Sequence, residues 1–533
     1  MGCGMTVIDL LTFTVWLIMS LMIMSRFIAI LQSERYHSDS YLKWVMDGGG
    51  LRVYSPVKFD KPLHFVCLAI MASYYFSPYK VYIEQLIMTS CGIYWILLHL
   101  KPAGSGKKPF AWTARVKRLF VITIILEAIL LWVAYTFGVR LFIASLVLLA
   151  YMQPFIIAVA NTVAMPVEKF FQQGFKKTAM KKIAGKKVVA VTGSYGKTGT
   201  KEAIAHMLEM AFPLLKTPGS YNTPMGLCKV INDEMTPHHE IFVSEMGATR
   251  KGDIKELCEI AKPSIAVITS IGDAHMESFG TIENVATTKF ELADALPDDG
   301  VLIYNRDYDL AREKAKGRVQ KTITYGFEAG AEYRPFNIRC NSKGSVFDLE
   351  TPSGIVEGIS IKLLGRLNVI NVVAGFVVGE HLGIAREKLK NAASSLPQME
   401  ARLQLLSTGS YLVINDGFNS NLLGAKAAAE TLSYFEGYRR ILVTPGIVDL
   451  GSKHEVVNFD FGKSAAMHCD QAILINERRT KPLKNGLLAG GMKGDSIKVF
   501  TSLAEAREFI NETVGEGSVV LFENDLPDHM EVF

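Results

Sequence analysis

Five apolar runs crowd the first 165 residues, each long enough to cross about 30 Å of hydrocarbon as a helix. They lie at about 7–31, 63–79, 81–100, 119–138 and 141–163. Lipid leaves a spanning chain few options, because every backbone N–H and C=O must be satisfied internally; runs of this length therefore predict helices. The second and third runs are the least cleanly separated: Pro78 and Lys80 leave little room for a turn, and Glu84 sits inside the third. Glu127 is a second carboxylate within an apolar run, where such groups are costly and either functional or hydrogen-bonded. The stretch 101–118 carries Lys101, Lys107, Lys108, Arg115, Lys117 and Arg118 without an acid, and 32–62 carries Arg35, Lys43, Arg52, Lys58 and Lys61. The positive-inside rule puts both on the cytoplasmic side. Five spans then leave the N-terminus outside and everything after 163 inside, which predicts a multi-pass protein of the inner (cytoplasmic) membrane. The opening Met1-Gly2-Cys3-Gly4-Met5-Thr6 fits a loose myristoylation pattern, but this topology places it on the wrong side.

The remaining residues read as soluble α/β sequence. At 533 residues the chain is too long for one ordinary domain. A net charge of only +5 gives no reason to expect a nucleic-acid partner. Seven dispersed cysteines without a C-x-x-C pair point to reduced thiols rather than a disulfide framework or zinc site. The Lys- and Phe-rich segment 166–185 reads as a basic linker lying on anionic lipid.

The β-branched run Lys187-Val188-Val189-Ala190-Val191 predicts a buried strand, and Lys201 to Leu208 has helical periodicity. Between them lies Thr192-Gly193-Ser194-Tyr195-Gly196-Lys197-Thr198-Gly199-Thr200. Strand, glycine loop and helix in this order form a phosphate cradle. Loop amides and the helix N-terminus face the anion, Lys197 reaches the outer phosphates, and the Thr198 hydroxyl suits Mg²⁺. The longer G-x-x-x-x-G-K-T form would need Gly where Val191 stands. Two further strand-like runs end near Glu245 and His275. In an open α/β sheet ligands gather at the carboxyl ends of strands, so both side chains should converge on the loop. A carboxylate, a Thr hydroxyl and phosphate oxygens can hold Mg²⁺, although an imidazole is an unusual partner for so hard an ion.

These blocks resemble the Mur ligases, whose phosphate loop is the shorter G-x-x-G-K-T. The resemblance runs in order from about 186 to the C-terminus and is closest to the branch that adds D-alanyl-D-alanine. It includes Thr217-Pro218-Gly219-Ser220-Tyr221-Asn222-Thr223-Pro224-Met225-Gly226, Ser244-Glu245-Met246-Gly247-Ala248, the segment from Ile271 through His275 to Gly280, and Lys289-Phe290-Glu291-Leu292. It implies ATP and Mg²⁺ as cofactors, with the nucleotide on Gly193, Ser194, Tyr195, Gly196, Lys197, Thr198, Gly199 and Asn222. Metal contacts would fall to Thr198, Glu245, His275 and Lys289, and Lys197, His275 and Lys289 would be catalytic. It also implies that Lys289 is carbamylated. Gly365-Arg366-Leu367-Asn368-Val369-Ile370-Asn371 matches the family's G-x-H-N-x-x-N block with Leu367 in place of His, placing Asn368 and Asn371 near the nucleotide. Arg402 would contact the γ-phosphate side and Asp416 the ribose.

The expected architecture is an α-helical transmembrane region (1–165), the linker (166–185), a central α/β P-loop ATPase domain (186–398) and an α/β Rossmann-like C-terminal domain (399–533). Departures fall at the C-terminal domain and the N-terminus. Thr444-Pro445-Gly446-Ile447-Val448-Asp449-Leu450-Gly451 replaces the usual G-D-M-x-E-L-G, and Glu523-Asn524-Asp525-Leu526-Pro527-Asp528 replaces a basic K-G-S-R-G-M. Acids there suit a cationic or carboxylate-free amine, or form a solvated loop. Membrane helices stand where the family keeps a soluble UDP-substrate domain, so the carboxylate acceptor is expected to be lipid-linked or otherwise membrane-bound. The resemblance implies an ATP-dependent carboxylate–amine ligase, working through an acyl-phosphate on a cell-envelope precursor with an amino acid or dipeptide as amine. Other readings are extension of a poly-amino-acid or modification of another envelope polymer. From a different class come an ATP-driven transporter, disfavoured because no L-S-G-G-Q-like segment follows the loop, and a nucleotide-binding scaffold.

Overall fold

The computed structural model describes residues 6–34, 36–50, 53, 82–99, 110–219, 221–273, 276–341, 343–407, 409–417, 421–448, 450 and 453–524. The chain forms two compact units, 1–173 and 174–533.

In the first unit the apolar runs become the helices Val7–Ser33, Tyr82–His99, Ala114–Thr136 and Val139–Ile183. Among the described residues three helices are long and apolar enough to cross a membrane by length and composition: Val7–Ser33, Ala114–Thr136 and Leu141–Ile183. The run expected at 63–79 lies outside the described residues, as does the side chain of Glu84. Val7–Ser33 opens with a capping box, in which Thr6 and Asp9 satisfy each other's backbone N–H groups. Glu127 accepts a hydrogen bond from Gln153 Nε2 at 2.5 Å, and Gln153 also donates to Ser20 Oγ at 2.6 Å. That pairing satisfies a carboxylate in an apolar setting. Segment 166–183, expected as a linker, is helical through Ile183. Its sequence hid two anchors. Glu168 pairs bidentately with Arg118 at 2.6 and 2.9 Å, and Ala179 and Ile183, four residues apart on one helical face, are buried in a core cluster.

The second unit carries two six-stranded sheets. The first has the order β2-β3-β1-β4-β5-β6 and every pairing is parallel. Its strands are β1 (Lys187–Thr192), β2 (Leu214–Lys216), β3 (Ile241–Glu245), β4 (Ile265–Ile268), β5 (Val301–Asn305) and β6 (Lys321–Tyr325). An all-parallel sheet needs both faces covered, and the alternation of side chains along each strand divides them cleanly. Val189, Val191, Val243, Val267 and Ile303 face one core, packed by the helices Lys197–Glu209 and Arg366–His381. Val188, Ala190, Phe242, Ala266 and Leu302 face the other, packed by Pro224–Glu234, Asp253–Ala261 and Ile282–Asp294. Because β1 lies between β3 and β4, the chain leaving β1 emerges at a switch point of the strand order, where a crevice opens.

A three-stranded antiparallel sheet follows: β7 (Arg334–Asn341), β8 (Gly344–Thr351) and β9 (Gly354–Ile361). Residues from 399 onward build the second six-stranded sheet, in the order β10-β11-β15-β12-β13-β14. Its strands are β10 (Gln404–Ser407), β11 (Leu412–Asp416), β12 (Arg439–Thr444), β13 (Gln471–Ile475), β14 (Ile497–Phe500) and β15 (Ser518–Glu523), with only β10 antiparallel. This is the doubly wound domain expected from the alternating pattern.

The helix Arg366–His381 is buried along most of its length, and Gly375 lets it press against the phosphate-loop helix. A Cβ at 375 would sit 3.1 Å from the Ala203 carbonyl oxygen and 3.0 Å from Met207 Sδ. Phe376, beside it, is fully buried. Phe376→Ala should cost about 3–5 kcal/mol and Gly375→Val about 1–3 kcal/mol, each read as a lower midpoint in denaturant unfolding followed by near-UV circular dichroism. Unchanged midpoints would show that this helix does not hold the core together.

Candidate active site

The phosphate loop leaves β1 at its carboxyl end and turns sharply into the helix Lys197–Glu209. Gly196 makes that turn at φ +78, a left-handed conformation that a side chain would strain. The loop is held from beneath by β4. Ser194 N–H donates to the Ser270 carbonyl at 2.9 Å, Tyr195 N–H donates to Ser270 Oγ at 2.7 Å, and the Thr269 and Ser270 hydroxyls both donate to the Tyr195 carbonyl. Ser194 Oγ bridges to Gly272. These bonds fix the loop before any ligand arrives. Asn371 packs from the side. Its Oδ1 accepts from Thr200 Oγ1 at 2.9 Å, and its amide crowds the position a Cβ on Gly199 would take.

Lys197, the first residue of the helix, donates from Nζ to the Gly193 and Ser194 carbonyls at 2.9 and 3.1 Å. Burial pushes its pKa below the ordinary lysine value; the Glu245 charge opposes that shift and Arg402 reinforces it. Thr198 Oγ1 donates to Glu245 Oε2 at 2.8 Å, and Asn222 Nδ2 donates to Glu245 Oε1 at 2.9 Å. Arg402 Nη2 reaches Thr198 Oγ1 at 3.3 Å. The expected cluster of Gly196, Lys197, Thr198, Gly199, Asn222, Glu245, Asn371 and Arg402 is therefore brought together. A carboxylate and a hydroxyl side by side at a phosphate loop suit Mg²⁺, which takes hard oxygen ligands and keeps the rest of its shell as water and substrate phosphate. Among the described residues there is no group of three or more His, Cys, Asp or Glu that could hold a metal.

Lys289, on the helix Ile282–Asp294, is only 2% exposed. Burial and, secondarily, the Lys197 charge push its pKa down to about 7, against the pull of Asp253 and Glu291. Asp416 ends β11, and its Oδ1 accepts the Leu403 N–H at 3.0 Å; burial raises it to about 6. Arg402 is likewise pushed down by burial, with Glu245 and Asp416 opposing. Asn368 is buried, and its Nδ2 donates to the Leu364 carbonyl at 2.9 Å. His275 lies outside the described residues. So do Asp525 and Asp528, while Glu523 is fully buried and accepts from Thr444 Oγ1 at 2.9 Å. The part of the acidic stretch that is described is thus an internal strut. Thr269 and Ser270, which grip the Tyr195 backbone, were not foreseen; the hydroxyl pair at the end of an apolar strand was the available signal.

A family model for the Mur ligase middle domain matches residues 191–379, and one for the Mur ligase glutamate ligase domain matches 401–523. The UDP-N-acetylmuramoyl-tripeptide–D-alanyl-D-alanine ligase of Bacillus subtilis is 32% identical over 340 residues, covering 63% of this chain and 73% of that one. The Escherichia coli protein of the same name is 30% identical over 282 residues, 52% of this chain and 62% of its own length. In structure, the Thermotoga maritima MurF ligase in complex with ADP aligns with a TM-score of 0.60 at 26% identity, covering 66% of this chain and 80% of that one. A MurF from Acinetobacter baumannii aligns with the same score at 25% identity over 68% and 79%. With a phosphate loop set against a carboxylate in the middle domain, and a second domain delivering Arg402 to the same hydroxyl, this chain belongs to the Mur ligase family of ATP- and Mg²⁺-dependent ligases.

Proposed function

We propose that the chain is a membrane-anchored ligase of the inner membrane, with its catalytic domains on the cytoplasmic side. It joins an amino acid or dipeptide amine to a carboxylate of a cell-envelope precursor, as the names of its relatives describe for D-alanyl-D-alanine and a UDP-linked muramoyl tripeptide. The observation that carries this reading is the contact of Thr198 with Glu245 beside Lys197. The acceptor is lipid-linked or otherwise membrane-bound. Apolar helices occupy the N-terminal region, and the family models match only from residue 191 onward.

In this mechanism the acceptor carboxylate attacks the γ-phosphorus of ATP and ADP departs. The amine nitrogen then attacks the acyl carbon, phosphate leaves, and the nitrogen loses its proton. Lys197 and the loop amides stabilise charge on the transferring phosphoryl group. Thr198 and Glu245 would hold Mg²⁺, which would supply charge neutralisation to the polyphosphate. Arg402 approaches Thr198 from the C-terminal domain, so closure of that domain completes the cationic lining. Asp416 sits at the strand end suited to a ribose.

Lys289 accepts CO₂ to become a carbamate, and its burial supports that role: an amine titrating near 7 is substantially neutral at cellular pH, and only the neutral amine adds CO₂. The ammonium first loses one proton; the neutral amine then adds CO₂, forming an N–C bond and releasing a second proton, which turns a cation into an anion beside Lys197.

Purified protein given ATP, membrane lipid extract and a panel of amino acids and dipeptides should release phosphate and ADP only with the right pair, and mass spectrometry should show one new amide. Lys197→Ala should lower substrate-dependent phosphate release by about 10²–10³-fold. Appearance of AMP and pyrophosphate would overturn the mechanism, and full turnover on a soluble UDP-linked acceptor would overturn the membrane-bound one. For Lys289, ¹³C-bicarbonate should give a carbamate resonance that is absent in Lys289→Ala. Protonation blocks the addition, so the signal should fade as pH drops through about 7, together with activity. A signal still growing toward pH 10 would mean an ordinary exposed lysine.

A further inference from the structure

We infer that Lys201 is a positioning residue that sets the metal-binding geometry of this site from inside the fold. The inference rests on the reading of Thr198 and Glu245 as magnesium ligands. Lysine is almost never fully buried unless paired, yet the Lys201 side chain is 0% exposed. Its Nζ donates to the Thr217 carbonyl at 2.6 Å and the Gly219 carbonyl at 2.6 Å, and lies 3.0 Å from Glu202 Oε1. An ammonium has three donors, and here three acceptors use them.

The two carbonyls belong to the turn that follows β2. That turn reaches Glu245 by two routes. Thr217 Oγ1 accepts the Glu245 backbone N–H at 3.1 Å, and Asn222, three residues past Gly219, donates to Glu245 Oε1 while its carbonyl accepts the Gly247 N–H. From the other side Thr198 holds Glu245 Oε2, and Thr198 lies three residues before Lys201 on the same helix. Residues three apart share a helix face. Lys201 therefore ties the helix that carries one metal ligand to the turn that aims the other. A purely stabilising contact between helix and turn could be made by an apolar pair, without the several kcal/mol that desolvating an ammonium costs. What the ammonium adds is direction: two fixed carbonyls and, through them, a fixed carboxylate.

A positioning role and a merely stabilising one separate in the coupling between metal and nucleotide. The probe is the non-hydrolysable ATP analogue AMP-PNP, bound to the full-length protein in detergent with either EDTA or excess Mg²⁺. Wild type should bind the analogue more tightly with Mg²⁺. Lys201→Met should keep the EDTA affinity and shrink the Mg²⁺ gain by about fivefold or more. Thr217→Val, which removes only the hydroxyl that receives Glu245, should shrink the gain in the same sense, and it decides the matter if Lys201→Met does not fold. Lys216→Met should leave the gain intact: it breaks the other ion pair of Glu202 (2.8 Å) but spares the turn carbonyls. Equal loss of affinity in EDTA and Mg²⁺ for Lys201→Met, or an unaltered gain in Thr217→Val, would overturn the inference alone. No Mg²⁺ gain in wild type would overturn the metal reading beneath it as well.

Discussion

Two cations, Lys197 and Arg402, are buried around one carboxylate, and the rest of the site follows from that imbalance. Burial pushes both toward their neutral forms, and Arg402 adds to the shift of Lys197. Glu245 relieves Lys197 and Arg402, and it is held on both oxygens by Thr198 and Asn222. Left alone, so much desolvated positive charge would be unfavourable; a polyphosphate supplies the missing anion and converts the cost into binding. The sheet order makes the arrangement possible. β1 pairs with β3 in a register that sets Val191 beside Glu245, so the loop leaving β1 starts next to the carboxylate it needs.

How much of this could be read from the chain depended on how local the signal was. The β-branched run before Gly193 and the periodic stretch after Lys197 announced strand, loop and helix, because each is fixed by its own residues. Glu245 and Asn222 were found as strand-end and loop residues within a recognisable order of blocks. Asn371 and Asn368 lie three residues apart on one helix, yet Asn371 accepts from Thr200 while Asn368 donates to the Leu364 carbonyl, a difference in partner that no local pattern announces. Lys201 reads as an ordinary polar helix residue; its burial depends on a turn sixteen residues away that folds over it. The three strands β7 to β9 carry mixed, weakly alternating sequence and pair only with one another, which leaves little periodic trace. The helix continuing through Ile183 escaped notice for a similar reason: its anchors, Glu168, Ala179 and Ile183, are single residues among many lysines.

The C-terminal domain shows how a departure in sequence can change its meaning once burial is known. Read as charge, Glu523 suggested a field favouring a cationic amine. Buried at the end of β15, it is spent on the Thr444 hydroxyl, and the neighbouring carboxylate across the strand pair, Asp416, is spent on the Leu403 amide. Both carboxylates are thus engaged within the fold at the carboxyl ends of paired strands.

The loop after β12 is likewise fixed within the fold. Gly446 turns at φ +79, its N–H donates to Thr444 Oγ1, and its carbonyl accepts from Asn524 Nδ2 at 2.7 Å. Asn458 reads Ile447 like a paired strand, accepting its N–H at 2.8 Å and donating to its carbonyl at 3.0 Å. Side chains that close such bonds before a substrate arrives remove the ordering cost that a free loop would impose on binding. Thr444, Asn458 and Asn524 hold the turn where this chain departs from the family's usual G-D-M-x-E-L-G. The same support recurs at the phosphate loop, where Thr269 and Ser270 hold the backbone and Lys197 and Thr198 do the chemistry. In both places buried hydroxyl or amide side chains hold the backbone of the turn.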